Sequence, residues 1–216
     1  MIKTGIFPGS FNPIHIGHLT LANYICEFEG YDEIWFLITP QNPVKGELGV
    51  IPQEMRLEFV EESIKGYDKF KTCTIEWDLP RPNYTVNTLQ KLRRTYLDRS
   101  FELIIGADNW KIFHRWKDYQ IILKNFPVLV YPRKGADKAY INHPNVRFCN
   151  APAIEISSSF IRKSLTENKD IRFFLPNGVY EKIISNNIIE NYYKQQPDEN
   201  KEENGDIKID ITNDIV

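Results

Sequence analysis

Residues 5–30 read GIFPGSFNPIHIGHLTLANYICEFEG. An apolar run enters PGSFNP, and a helical pattern leaves it. Gly9 permits close backbone approach, Ser10 and Asn12 are turn formers, and Pro13 stiffens the loop. The stretch therefore predicts a strand, a tight loop and a helix, with His18 in the first helical turn and His15 just before it. The same alternation continues down the chain. Short β-branched or aromatic runs mark strands at 2–7, 33–39, 70–77, 101–107, 126–132 and 146–149. Helical spacing marks 17–29, 52–65, 84–97, 109–124, 157–166 and 178–193. Strands separated by helices imply right-handed crossovers and a parallel sheet covered on both faces, a doubly wound α/β fold. Such folds bind ligands beyond the C-terminal strand ends, where strand order reverses.

Composition sets the frame. A chain of 216 residues with 42% hydrophobic content suits one domain with a sizeable core. A net charge of -2 advertises neither nucleic acid nor an anionic membrane. Cys26, Cys73 and Cys149 are scattered and form neither a disulfide framework nor a CxxC knuckle. No stretch approaches the ~18–20 apolar residues of a membrane span, and MIKTGIF has no long apolar leader region. The expectation is a soluble, reducing, cytoplasmic setting, with oligomeric state left open. From Pro197 onward there are seven acidic residues and two lysines, which leaves the rest of the chain at +3. A mildly cationic body suits anionic small molecules. The chain divides into a domain over 1–195 and an acidic tail over 196–216. PDENKEENGD reads as a flexible linker, and IKIDI alternates like a short strand that would pair with a sheet edge or a neighbouring chain.

Two histidines three apart admit three readings. As metal ligands they lack company: the chain has only His114 and His143 besides, in no ligand-spaced cluster, and HExxH is absent. They could be ordinary turn histidines. The third reading rests on position. A helix N-terminus is positive and disfavours an imidazolium unless an anion is bound, while its free N–H groups bind phosphate well. A second helix start carries comparable chemistry. In ISSSFIR (156–162), Ser157 or Ser158 would cap a helix, with Ser159 and Arg162 facing its N-terminal end. Taken alone, that is a serine-rich cap beside a surface arginine.

Together the two stretches carry a resemblance. GSFNPIHIGH is similar to the nucleotidyltransferase signature G(S/T)F(D/N)PxHxGH, and ISSSFIR is similar to ISS(T/S)xxR, about 140 residues later. The resemblance implies a Rossmann-like nucleotidyltransferase fold. It also explains the lack of a neighbouring carboxylate. If the nucleophile is a phosphate monoester, already ionised, no general base is needed. The enzyme has only to align the groups and neutralise charge. His15, His18, Lys45 and Arg162 would do so, with Mg2+ carried by the nucleotide.

Three further stretches, YDEIWFLITPQNPVKG (31–46), RPNYTVNTLQKLR (81–93) and FELIIGADNWKIFHRW (101–116), resemble bacterial nicotinate-nucleotide adenylyltransferases. The likeness runs over residues 1–193. Read as plain sequence, Thr85 is a candidate helix cap, Gly106 and Asp108 sit at the C-terminal end of a strand, and Trp110 and Trp116 are core or interface aromatics. The resemblance implies an ATP site at Gly9, Ser10, Phe11, His15, Gly17, His18, Gly106, Asp108, Ser157, Ser158, Ser159 and Arg162. It implies a nicotinate-mononucleotide site at Asn42, Lys45, Thr85, Asp108, Trp116 and Lys117. Trp116 would stack on the pyridine ring, and the backbone N–H groups of Thr85 and Lys117 would hold its carboxylate. Pro8 stands where the family usually has Gly, Asn12 where Asp is usual, NPVKG where PPHK is common, and Lys117 where an aromatic is frequent. The implied reaction joins ATP and nicotinate mononucleotide to give nicotinate adenine dinucleotide and pyrophosphate. The alternatives are a nucleotidyltransferase for nicotinamide mononucleotide or another small phosphate, and a non-catalytic nucleotide sensor. Intact His15, His18 and Arg162 argue against the sensor.

Overall fold

Among the described residues, six strands form one parallel sheet in the order β3-β2-β1-β4-β5-β6. They are β1 (Ile2–Gly9), β2 (Glu33–Ile38), β3 (Phe70–Cys73), β4 (Arg99–Gly106), β5 (Val128–Tyr131) and β6 (Val146–Phe148). The computed structural model describes residues 1–40, 50–133 and 143–194. The expected Asn42, Lys45 and acidic tail (196–216) lie outside the described residues.

The period of two along each strand builds two cores. Phe7, Ile34, Phe36, Ile104 and Leu129 point to one face, under α1 (Ile16–Phe28) and α2 (Gln53–Ser63). Ile6, Trp35, Leu37, Leu103, Ile105 and Val130 point to the other, under α3 (Thr85–Thr95) and α4 (Ala107–Ile112), with α5 (Tyr119–Asn125) alongside. Two later helices, α6 (Ser158–Thr166) and α7 (Val179–Ser185), return to the first face through Ile161, Leu165, Val179 and Ile183. Every residue of β2 is buried, as a strand covered on both faces requires. Strand order reverses between β1 and β4, so the loops leaving those two strands diverge and open a crevice at their C-terminal ends.

Three expected elements are shorter or broken. The strand expected over 70–77 stops at Cys73 and turns into a 3-10 segment, Ile75–Asp78. There Trp77 Nε1 donates to Ile38 O at 3.0 Å, and Thr88 Oγ1 donates to the buried Glu76 carboxylate at 2.7 Å. The helix expected over 109–124 divides into α4, a 3-10 turn (Phe113–Arg115) and α5: Trp116 is extended at ψ 144, and Asp118 takes φ 52, a left-handed conformation no right-handed helix continues through. The helix expected over 178–193 ends at Ser185, and Asn187 (φ 52) separates it from a π-helical turn, Ile189–Tyr193. No helix of the described residues is long and apolar enough to cross a membrane.

Candidate active site

The loop leaving β1 delivers the two histidines. Phe11 sits at φ 46, uncommon for a bulky residue, and its buried ring meets Phe7, Phe36 and His18 at 6.1, 5.6 and 5.1 Å between centroids. His15 is the N-cap of α1, in extended conformation, and His18 is the third residue of the helix. The N–H of His15 donates to His18 Nδ1 at 3.3 Å. That bond makes Nδ1 an acceptor, so a neutral His18 carries its proton on Nε2. The rings stack at 3.7 Å. Gly17 makes the arrangement possible, since a Cβ there would lie 2.9 Å from His15 Nδ1 and 3.2 Å from Ile154 Cγ2.

Both imidazoles are held neutral. Burial, and secondarily the Arg133 guanidinium, push His15 down to about 4. Burial, then His15 and Arg133, push His18 well below the ordinary histidine range. Burial therefore outranks the helix dipole named in the sequence argument. His15 Nδ1 is buried and has no hydrogen-bond partner among the described residues.

The start of α6 is fastened onto the same loop. Ser157 is its N-cap, accepting from the Phe160 N–H at 3.1 Å. Ser158 Oγ donates to Pro13 O at 3.0 Å, and Arg162 Nη1 donates to Asn12 O at 3.0 Å. Arg162 Nη2 also reaches Ser159 Oγ at 3.3 Å. Chain segments about 145 residues apart thus close around one space.

That space is a cavity of about 560 Å3. Gly9, Ser10 and Phe11 line it from the first loop, His18 from the start of α1, Gly106 from the end of β4, Asp108 from the start of α4, and Ser157, Ser158 and Arg162 from the start of α6. A Cβ on Gly106 would sit 2.2 Å from Asp108 Oδ1, so only glycine lets that carboxylate fold back over the strand end. His15 and Gly17 face a small adjoining pocket shared with His18 and Arg133. Trp116 also contributes to the cavity wall, but its ring is only 6% exposed and packs against Phe113 at 5.0 Å. Trp110 belongs to the same core. Ser159, Thr85 and Lys117 are not in the wall of this cavity. Thr85 is not the cap of α3 either. Tyr84 holds that position, without a side-chain bond, and Thr85 is the first helical residue.

Sequence reasoning missed Arg133. It lies two residues past the end of β5, lines both the cavity and the small pocket, donates from Nη2 to Tyr131 Oη at 3.4 Å, and stands 3.9 Å from Asp108. The available signal was positional: YPR continues a strand past its C-terminal end, where α/β sites lie.

Residues 6–191 match the cytidylyltransferase-like family. A protein of Azobacteroides pseudotrichonymphae genomovar. CFP2, named "Probable nicotinate-nucleotide adenylyltransferase", is 58% identical over 186 residues, covering 86% of this chain and 98% of its own. A Bacteroides fragilis (strain YCH46) protein of the same name is 53% identical, covering 84% and 91%. Among solved structures, Plasmodium falciparum nicotinic acid mononucleotide adenylyltransferase complexed with NaAD superimposes with a TM-score of 0.73 at 19% identity, over 91% of this chain and 99% of that one. At that identity the likeness concerns the fold.

Proposed function

Because the chain belongs to the cytidylyltransferase-like family and, within it, to the nicotinate-nucleotide adenylyltransferases, we infer that AMP passes from ATP to nicotinate mononucleotide in this cavity. The products are nicotinate adenine dinucleotide and pyrophosphate, a step of NAD biosynthesis. The observation that carries the assignment of the site is the meeting of two helix starts, α1 with its stacked histidines and α6 with Ser157 and Arg162, at one crevice. Each offers N–H donors and a positive dipole end to phosphate.

The chemistry follows from those donors. A phosphate oxygen of the mononucleotide attacks the α-phosphorus of ATP. The new P–O bond forms as the bond to the β-phosphate bridging oxygen breaks, and pyrophosphate leaves with that electron pair. The nucleophile is already an anion, so the site needs no base. His18 donates from Nε2 to the triphosphate, and His15, Arg162 and Arg133 add donors around it. These interactions strengthen as charge moves toward the leaving pyrophosphate. Trp116 and the N–H groups of Thr85 and Lys117 are our candidates for the nicotinate end, and Asn42 and Lys45 for its phosphate side.

Mg2+ fits as a companion of the nucleotide. Among the described residues no group of three or more His, Cys, Asp or Glu could hold a metal, and Asp108 is the carboxylate in the cavity wall. Bound to the triphosphate, the ion would supply charge neutralisation. The partners are then small molecules in a cytoplasmic setting, in keeping with three free, buried cysteines. Incubation with ATP, Mg2+ and nicotinate mononucleotide should yield the dinucleotide and pyrophosphate in equal amounts. Absence of the dinucleotide would reject the assignment.

A further inference from the structure

Arg56, the fourth residue of α2, is buried to 1% exposure and heads the fully buried side chains by volume. Its Nε donates to Ile51 O at 3.2 Å, and its Nη1 donates to Ser10 O at 2.5 Å and Thr39 O at 2.9 Å. Those carbonyls belong to three segments: the loop after β1, the end of β2, and the lead-in to α2. One guanidinium therefore ties together the strand-end segments on the β2 side of the cavity, which it also lines.

The charge itself is what needs explaining. Arg56 forms no salt bridge with any carboxylate among the described residues. Burial lowers its pKa to about 10, opposed only by Glu54, and it stays protonated at neutral pH. A buried cation without a counter-ion is costly. A purely structural latch across three carbonyls could be built from neutral amide donors. Carbonyl dipoles offset part of the cost, and a bound anion would offset the rest. Nε and Nη1 are already engaged, so Nη2 is the donor left for a ligand.

The sheet order decides which anion. Arg133 follows β5 and Arg162 lies on α6, whereas Arg56 lies across β1 on the β2 side. The triphosphate is drawn to the histidines, α6 and Arg133. The opposite wall is left for the second anionic substrate. We propose that Arg56 is the counter-charge for the phosphate of the attacking mononucleotide, and so selects the mononucleotide over its unphosphorylated riboside. This rests on the adenylyltransferase reading of the cavity.

The test uses the full chain with ATP and Mg2+, comparing wild type with Arg56→Lys and Arg56→Gln. Nicotinate riboside, the mononucleotide without its phosphate, serves as a competitive probe. Wild-type turnover of the mononucleotide is the control for the underlying reading, and its failure would count against that reading alone. Loss of a charge-assisted bond predicts that Arg56→Gln raises KM for the mononucleotide roughly 10- to 100-fold. KM for ATP and Ki for the riboside should stay within about threefold, and Arg56→Lys should fall between wild type and Gln. Should Arg56→Gln fail to fold, the ratio of mononucleotide KM to riboside Ki in Arg56→Lys carries the test and must rise. An unchanged ratio, or equal weakening of ATP, mononucleotide and riboside, would overturn the proposal and leave Arg56 as a latch.

Discussion

The imidazole rings of His15 and His18 lie stacked, 3.7 Å between centroids and 25° from parallel. Two imidazolium ions would repel at that distance, whereas two neutral rings pack. Burial and Arg133 keep both neutral. The stack thus stores two oriented donors that need no proton exchange before the reaction, which is what a phosphate nucleophile requires.

His18→Ala should fold and lose turnover. Removing one preorganised donor to developing charge typically costs about 10²–10³ in kcat. Steady-state pyrophosphate release, with a melting curve as the folding control, measures it. Near wild-type turnover in a folded variant would reject the role.

Gly17→Ala separates positioning from stability. The new Cβ meets His15 Nδ1 at 2.9 Å and Cε1 at 3.0 Å, so the ring must shift. Alanine meanwhile favours the helix by about 1 kcal/mol over glycine, which should keep Tm within a few degrees. Turnover should fall roughly tenfold or more, since misplacement by about 1 Å can cost about 10²-fold. A variant as active as wild type would show that the placement of His15 is not critical.

Arg133→Gln removes a positive charge that lowers both histidines. Their pKa values should rise in the free enzyme, and KM for ATP should rise with them. A ring-proton NMR titration reads the first effect and kinetics the second. Unmoved histidine resonances would remove Arg133 from the cluster.

His15 also predicts acid sensitivity. Its folded pKa of about 4 lies below the ordinary 6.5, so the unfolded chain binds more protons between those values. The associated stability is fully present above about pH 6.5, declines as pH falls toward 4, and changes no further below that. By linkage the loss is on the order of 3 kcal/mol at most. Urea midpoints should therefore drop less for His15→Gln than for wild type between neutral pH and pH 4. Parallel curves would contradict a buried neutral His15.

Much of this was legible in the chain because buried parallel strands leave apolar runs and helix starts leave capping residues. β2 and β4 show the former, and Ser157 the latter. The histidine pair was legible from its spacing around Gly17. The breaks were not: Asp118 and Asn187 enter left-handed conformations without disturbing the hydrophobic spacing around them. Thr85 was misplaced by one position because Tyr84 caps α3 without a side-chain bond. Arg56 and Arg133 escaped for a common reason. An arginine in a helix, or just past a strand, looks like a solvated surface residue until tertiary packing sets it against the cavity.

The most direct test of the central claim is the choice between acid and amide. A carboxylate only accepts hydrogen bonds, whereas the NH₂ of a carboxamide only donates. A pocket of backbone N–H groups, proposed here at Thr85 and Lys117, satisfies both carboxylate oxygens and leaves one donor facing the amide NH₂. An unpaired buried polar group costs about 1–3 kcal/mol, and charge-assisted bonds widen the gap. Measured with the same ATP and Mg2+, kcat/KM should favour nicotinate mononucleotide over nicotinamide mononucleotide by roughly 10²-fold or more. Equal values, or preference for the amide, would contradict the account.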